Sequence, residues 1–540
     1  MAIKRYIANA DTTITNAFEA DLITRGTGSN MGLSDTLEVF SIYGQTISGS
    51  SATNTAELSR ILINFPVADI ETDRTNGDIP ASGSVSFFLQ MFNAEHSFTV
   101  PRSYTLSASA VTKGWEEGHG LDMEGYRDLT YDKTGSNWMR ATEKTAWTRP
   151  GGDYDEAPTS SFEQSFDHGT EDLEINITKL VEQWLNSSGN VLGDKSSARY
   201  GIGIHLTSSQ EAKYVDTSIT DGDYGLLKNP TGSINSYYTK KFFARGSQYF
   251  FKRPAIEARW DSSKKDNRRN FYLSSSLATG DDNLNALYLY NYVRGQLKNI
   301  PELGGPASEN DVTKTELEVR IYDTTGSDAK TLPIGGGVTV ADQWVITASY
   351  IASGTYSASF AYTGSETTIY DVWSTGSSTS IRGTGASYKE FHTGSKISVK
   401  SFNSYDYNPN DTYVTSMSNL KSVYSTTETA RIRLFTRKKD WNPTIYTKAT
   451  AEAETEIVED AYYKVFRVYD DLTVIDYGTG SLNHTRTSYD TSGSYFDLNM
   501  SMLEADYMYG IKMIYYLNGK YVEQPNVFKF RVEKDLTDIE

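Results

Sequence analysis

The chain has 540 residues, several times the usual domain, with no cysteine and a formal net charge of -18 from 51 basic and 69 acidic side chains. That balance has the wrong sign for neutralising phosphates, and the missing thiols exclude a disulfide frame, a thiolate metal site and a cysteine nucleophile. Aromatics make up 13% of the residues, 38 of them tyrosine, beside 42 glycines and only 13 prolines, a mixture that suits half-buried strands and tight turns.

The first residues, Met1 to Asp11, hold two basic side chains but no apolar stretch of signal-peptide length, and no later run approaches a membrane span. The expectation is a protein made in the cytoplasm, with no membrane partner.

Strands follow. Leu37–Tyr43, Arg60–Phe65 and Ser84–Phe92 are short apolar or alternating runs set between Gly, Asp, Asn and Ser clusters, the pattern of sandwiches and barrels. Leu173–Leu185 reads as the single helix of the first half, because Ile177, Leu180, Val181 and Trp184 share a face at helical spacing. The charged run Asp261–Asn270 interrupts the apolar pattern and marks a domain boundary, with Lys264, Lys265, Arg268 and Arg269 read as solvated linker charges. Gln343–Ser349, Gly354–Phe360 and Thr368–Trp373 then suggest one small sandwich. Tyr463–Tyr469, Tyr507–Tyr516 and Val527–Val532 suggest another, with a break near Tyr388. The expected fold is all-β: a jelly-roll-like β-sandwich over 1–261, then Ig-like β-sandwiches over 262–387 and 388–540.

The first half resembles the DNRLRE family, a β-sandwich module of secreted and surface proteins. The matching pieces are Ala10-Asp-Thr-Thr-Ile14, Asn30-Met-Gly-Leu-Ser-Asp-Thr-Leu37, Ser59-Arg-Ile-Leu-Ile-Asn-Phe65, Gly114-Trp-Glu-Glu-Gly118 and Ala146-Trp-Thr-Arg-Pro150. Further on come Ile177–Leu185, Tyr200-Gly-Ile-Gly-Ile204, Lys241-Phe-Phe-Ala-Arg245 and Pro254-Ala-Ile256. Pro66 departs from the pattern, in which an Asp usually follows the core-strand Phe. The opening Lys4–Phe18, followed by Thr24–Gly32, is also similar to the start of structural proteins in marine contractile-tailed phages, especially those of cyanobacteria. That likeness implies a virion component.

Chemistry is harder to find. The six histidines, His96, His119, His168, His205, His392 and His484, share no helical-turn spacing, and there is no His-Glu-x-x-His or Gly-x-Ser-x-Gly. No cofactor or metal is expected, although loops such as Asp216–Tyr224 and Gly280–Asn285 carry oxygen ligands that calcium favours. Trp115, Trp147 and Trp184 read either as plugs of a sandwich core or as sugar-stacking platforms. The candidate ligand or interface aromatics are Trp115, Trp147, Tyr507 and Tyr509.

Two functions compete on this reading. One is a non-enzymatic virion structural protein (head decoration, neck or collar, tail or baseplate) whose partners are other virion proteins and copies of itself. The other is an adhesion module for a host-surface glycan. Nucleic acid is not an expected partner.

Overall fold

The computed structural model describes residues 2–19, 22–48, 51–96, 101–121, 135–186, 199–215, 220, 225–301, 303, 317–336, 343–375, 388–401, 412–441 and 455–535. Strands dominate, and only two α-helices occur among the described residues. The protein is all-β. It divides into two compact units, one of Met1–Asp261, Gly480–His484 and Ser501–Glu504, the other of Ser262–Thr479, Thr485–Met500 and Ala505–Glu540.

In the first unit the strands are β1 (Ile3–Ile7), β2 (Ala10–Thr15), β3 (Thr36–Ser48), β4 (Ser51–Asn64), β5 (Ser86–Met91) and β6 (Tyr104–Val111). They continue as β7 (Tyr154–Asp155), β8 (Ser161–Phe166), β9 (Leu173–Asn176), β10 (Ile202–Leu206), β11 (Tyr237–Phe243) and β12 (Ala255–Arg259). One sheet runs β1-β12-β5-β9, so the first and last strands lie side by side. The other runs β11-β3-β4-β10-β6-β7, with β2 on β4 and β8 on β6. This is a jelly-roll-like sandwich.

The run Ile61-Leu62-Ile63 shows why both faces of the larger sheet are apolar. Successive side chains point to opposite faces. Ile61 and Ile63 enter the core between the sheets with Leu37, Phe87, Leu106, Ile202 and Ile256. Leu62 turns outward into a second core with Leu58, Trp138 and Trp147, supplied by the segments that cover the sheet. Each fully buried side chain of this size contributes about 1.5–3 kcal/mol.

The expected helix over 173–185 is corrected in its first half. Leu173-Glu-Ile-Asn176 alternates buried and exposed with period two and pairs with β5 as β9. Only Thr178–Leu185 (α2) is helical, with Leu180, Val181 and Trp184 fully buried. A second helix, α1 (Val67–Asn76), went unread because it buries only Val67 and Ile70. It starts after Pro66, the position where the family pattern breaks, and stops at Gly77 in the left-handed region, which glycine enters without strain.

The second unit holds two sandwiches. In one, the sheet of Phe271–Tyr272, Ile397–Lys400, Thr368–Thr375, Glu318–Tyr322 and Ile346–Thr347 faces the sheet of Asn285–Tyr290, Thr355–Tyr362 and Ile334–Gly335. A core including Phe271, Leu287, Ile321, Phe360 and Trp373 fills the space between them. In the other, Tyr413–Met417, Thr429–Lys438, Gly493–Asn499 and Ser488–Asp490 form one sheet. The second sheet is built on Phe528–Glu533, Met508–Leu517 and Ala461–Arg467. In both, an early strand runs parallel to the closing strand, Phe271–Tyr272 on Ile397–Lys400 and Val423–Ser425 on Phe528–Glu533, an immunoglobulin-like closure.

That closure moves the expected break near Tyr388. Lys389–Thr393 and Ile397–Lys400 both pair with Thr368–Thr375, so the sheet runs through residue 388 and ends at Lys400.

The charged run after Asp261 is also corrected. Tyr489 N–H donates to the Lys264 carbonyl at 2.9 Å and Asp266 N–H to the Tyr489 carbonyl at 3.1 Å, so the segment is threaded onto the strand Ser488–Asp490. Arg268 is buried rather than solvated, donating through Nη1 to Asp266 at 2.6 Å and through Nη2 to Asp371 at 2.5 Å.

Candidate functional site

The outer face of the larger sheet in the first unit carries a cleft of about 730 Å³. Its floor is made by side chains directly opposite one another on three strands: His205 on β10 faces Ser107 on β6, which faces Glu163 on β8. The next row is Gly203, Ser109 and Ser161. Gly203 is required there, since a Cβ would lie 2.0 Å from Tyr154 Cε1, and its absence lets the Tyr154 ring settle beside the His205 ring at 5.1 Å. The hydroxyls of Ser107, Ser109 and Ser161 bond one another at 2.8–3.2 Å.

Charges in the lining are balanced, and two ion pairs close within it. Arg60, Lys113, Arg149 and Lys228 supply the positive side. Asp153, Glu156, Glu163 and Glu211 supply the negative. Arg60 donates through Nε and Nη2 to both Glu211 oxygens, each at 2.9 Å, and through Nη1 to the Gly151 carbonyl. Lys113 lies 3.6 Å from Asp153.

His205 is only 8% exposed. Its Nδ1 is 2.9 Å from the Leu206 carbonyl, which can only accept, so Nδ1 carries the proton. Burial holds the ring below its usual pKa, with Arg60 adding to the effect, and the imidazole is neutral at pH 7. Nε2 is therefore a lone-pair acceptor; it is itself shielded from solvent, and no donor among the described residues reaches it.

A second polar cluster gathers pieces of the family resemblance. Asp11, Asn30, Glu117 and Arg245 come from four separated segments. Arg245 donates through Nε and Nη2 to Glu117 at 2.6 and 2.5 Å, and its backbone N–H donates to Asp11 at 2.6 Å. Asn30 Nδ2 donates to the carbonyls of Glu117 and Ser136, while its Oδ1 accepts from the Gly32 and Gly120 N–H groups. Burial, helped by the Glu117 charge and opposed by the Arg245 N–H, pushes the Asp11 carboxyl up to about 7. The cluster is satisfied within itself and ties loops to the sheet.

The four candidate aromatics separate. Trp147 is buried in the second core, its Nε1 donating to the Asn137 carbonyl at 2.8 Å, and Tyr509 is 0% exposed with its ring 5.9 Å from Phe530. Neither offers a face to a ligand or partner, which corrects both assignments: each lies on the inward register of its segment. Trp115 is half-buried, with Nε1 donating to the Tyr200 carbonyl at 2.8 Å, and is not among the cleft's lining residues. Tyr507 is half-buried beneath the Arg467 guanidinium, 4.6 Å from its ring centre. The residues that do line the cleft were not singled out from sequence. The histidines share no helical-turn spacing along the chain, and His205 meets its neighbours only across strands. Of the loops with calcium-type ligands, Asp216–Tyr224 lies outside the described residues apart from Thr220. In Gly280–Asn285, Asn283 and Asn285 are engaged with Ser275 and Tyr272.

The second unit presents aromatics on two hairpins. Tyr292–Val293 and Gln296–Leu297 pair around Arg294 and Gly295, both at positive φ, and Tyr292, Val293 and Leu297 are exposed. Met508–Leu517 and Lys520–Glu523 pair around Asn518 and Gly519, also at positive φ, as in type I′ turns. There Tyr516 and Tyr521 face each other across the strands with rings 4.8 Å apart. All four residues of Lys520–Glu523 are exposed.

No protein-family model matches the chain, and no curated protein matches it. Among solved structures, a marsupial T cell receptor aligns with 41% of this chain at 10% identity and a TM-score of 0.16; the chain spans 65% of that receptor's length. DIP-gamma IG1+IG2 aligns with 40% of this chain and 83% of its own, at 12% identity and a TM-score of 0.11. Overlaps this poor carry no argument, and the sandwich layout rests on the strand pairing itself.

Proposed function

We propose that the chain is a non-enzymatic structural component of a tailed-phage particle, a head decoration, neck, tail or baseplate protein that works through contacts with copies of itself and with other virion proteins. The observation that supports this most is the pair of exposed hairpins in the second unit, which present Tyr292, Val293 and Leu297, and Tyr516, Tyr521 and Val522, to solvent. Tyrosine is enriched in interfaces and gives wide contact area at low entropic cost. An exposed strand edge is a template for pairing with another chain, and a soluble chain that works alone usually blunts it. The similarity of the opening residues to phage structural proteins supplies the particle.

Quantitative mass spectrometry of gradient-purified particles from the source of this sequence tests the reading. The chain is expected in fixed proportion to the major particle proteins. Its loss from particles during purification, with all of it left in the soluble fraction, would overturn the reading.

A further inference from the structure

We infer that the first unit closes a covalent cross-link of its own: the Lys240 amine attacks the Asn93 side-chain amide, ammonia leaves, and an isopeptide bond joins β11 to the segment after β5. The inference goes beyond the assembly reading, because it is built from the first unit alone and needs neither a partner nor an exposed edge.

Lys240 is a lysine in a core position. It shares the inward face of β11 with Phe242, two residues on, and is 1% exposed. Its Nζ lies 5.2 and 5.0 Å from the ring centres of Phe166 and Phe242. Its three acceptors are neutral oxygens: Asn93 Oδ1 at 2.6 Å, and the carbonyls of Glu171 and Gly169 at 2.6 and 3.3 Å. A lysine buried this deeply normally pairs with a carboxylate. Among the described residues no carboxylate bonds this nitrogen, and burial pulls its pKa down to about 8 despite the nearby charges of Asp172 and Glu171. About one amine in ten is then neutral at pH 7, with a lone pair to give, and a lysine desolvated among apolar groups is an activated nucleophile.

The electrophile is held in place. Phe243 N–H donates to the Phe92 carbonyl at 3.1 Å and Ala94 N–H to the Lys241 carbonyl at 3.0 Å, so the backbone on both sides of Asn93 is strapped to β11. Asn93 N–H donates to Asp172 Oδ1 at 2.7 Å. With Oδ1 2.6 Å from Nζ, the amide carbon one C=O bond further on is at most about 3.8 Å away. That is close to the separation of a near-attack pair, about 3–3.5 Å. His96 Nε2 sits 3.1 Å from the same oxygen; an amide oxygen only accepts, so Nε2 carries a proton and donates it. It faces the atom where negative charge collects as the amine adds.

The step balances within the chain. The Nζ lone pair forms the bond to Asn93 Cγ, the Cγ–Nδ2 bond breaks, and a proton from Nζ passes to Nδ2, which departs as ammonia. Nothing is oxidised and no co-reactant is consumed. A chain without cysteine thereby gains the kind of tie that a disulfide would give, across 147 residues.

Peptide mapping of the purified full chain by mass spectrometry tests the inference. In most chains the tryptic peptide carrying Asn93 should be joined to the one carrying Lys240, the pair lighter than its two parts by one ammonia. The denatured native chain should also run ahead of Lys240→Met and Asn93→Ala in gel electrophoresis, because the link keeps a long loop closed. In chain freshly made by cell-free synthesis, His96→Phe should form the linked species at least about tenfold more slowly than the native sequence. Recovery of the two native peptides apart with unmodified masses, or co-migration of the native chain with both variants, would overturn the cross-link. An unchanged rate in His96→Phe would strike His96 from the step.

Discussion

Arg245 grips Glu117 through two nitrogens at 2.6 and 2.5 Å across 128 residues of chain, and its own backbone N–H holds Asp11. One residue thus holds two carboxylates, Glu117 through its guanidinium and Asp11 through its backbone N–H. Arg245→Ala leaves them facing each other without a cation, a loss of about 3–5 kcal/mol were the pair dry. Because about a third of the Arg245 side chain is exposed, water screens the pair, and a loss of about 1–3 kcal/mol is expected. Urea unfolding followed by tryptophan fluorescence checks it; an unchanged midpoint would show the cluster to be ornamental.

The same cluster sets a pH dependence. With the Asp11 carboxyl raised to about 7 in the folded state, the fold holds a proton that the unfolded chain has released above its ordinary value of 3.8. Stability from this group therefore falls as pH rises from about 4 to 7 and levels off beyond. Asp11→Asn keeps an oxygen for the Arg245 N–H and has no proton to lose. Its melting temperature should gain on the native protein through that window, reaching a few degrees at pH 8. Parallel melting curves from pH 4 to 8 would contradict the assignment.

Arg268 is the equivalent fastening of the second unit, buried against Asp266 and Asp371, with Trp373 Nε1 donating to the same Asp371 oxygen at 2.7 Å. Burial raises the Asp266 carboxyl to about 6, which fits one cation shared between two acids. Arg268→Met is expected to cost about 3–5 kcal/mol, because it strands buried carboxylates. Since Lys264 to Asp266 are tied into the strand at Ser488–Asp490, trypsin should make no early cut between Lys264 and Arg269 in the native protein. Rapid cleavage there would return the segment to the role of a linker.

The exposed hairpins give a reversible handle on association. Tyr521→Lys combined with Tyr292→Lys changes solvent-facing side chains only, so the melting temperature should hold within about 2 °C. If the hairpins carry self-contacts, sedimentation velocity at rising concentration should show the native chain associating and the double variant at least tenfold weaker. Equal association of the two proteins would exclude these edges as the contact.

What the sequence showed plainly was whatever obeys a local period. The runs at Arg60–Phe65, Thr368–Trp373 and Tyr507–Tyr516 are strands because alternation and β-propensity agree there. Leu173–Asn176 defeated the reading because four residues of alternation, joined to a true helix at Thr178, also fit a helical face. Asp261–Asn270 looked like a linker since burial of Arg268 depends on Asp371, about a hundred positions away. The cleft was invisible for the same reason: His205, Ser107 and Glu163 become neighbours only through register across three strands. Trp147 and Tyr509 carried the right chemistry for recognition, but the face each occupies is decided by what packs against it.

The most direct test of the central claim is an electron-microscopy map of the particle that contains this chain. Symmetric copies are expected whose second units meet a neighbour through the Tyr292 and Tyr521 hairpins, each copy burying at least a standard interface of about 800 Å² on its own side. A map in which the copies bury clearly less than that, or in which both hairpins stand free in solvent, would contradict it.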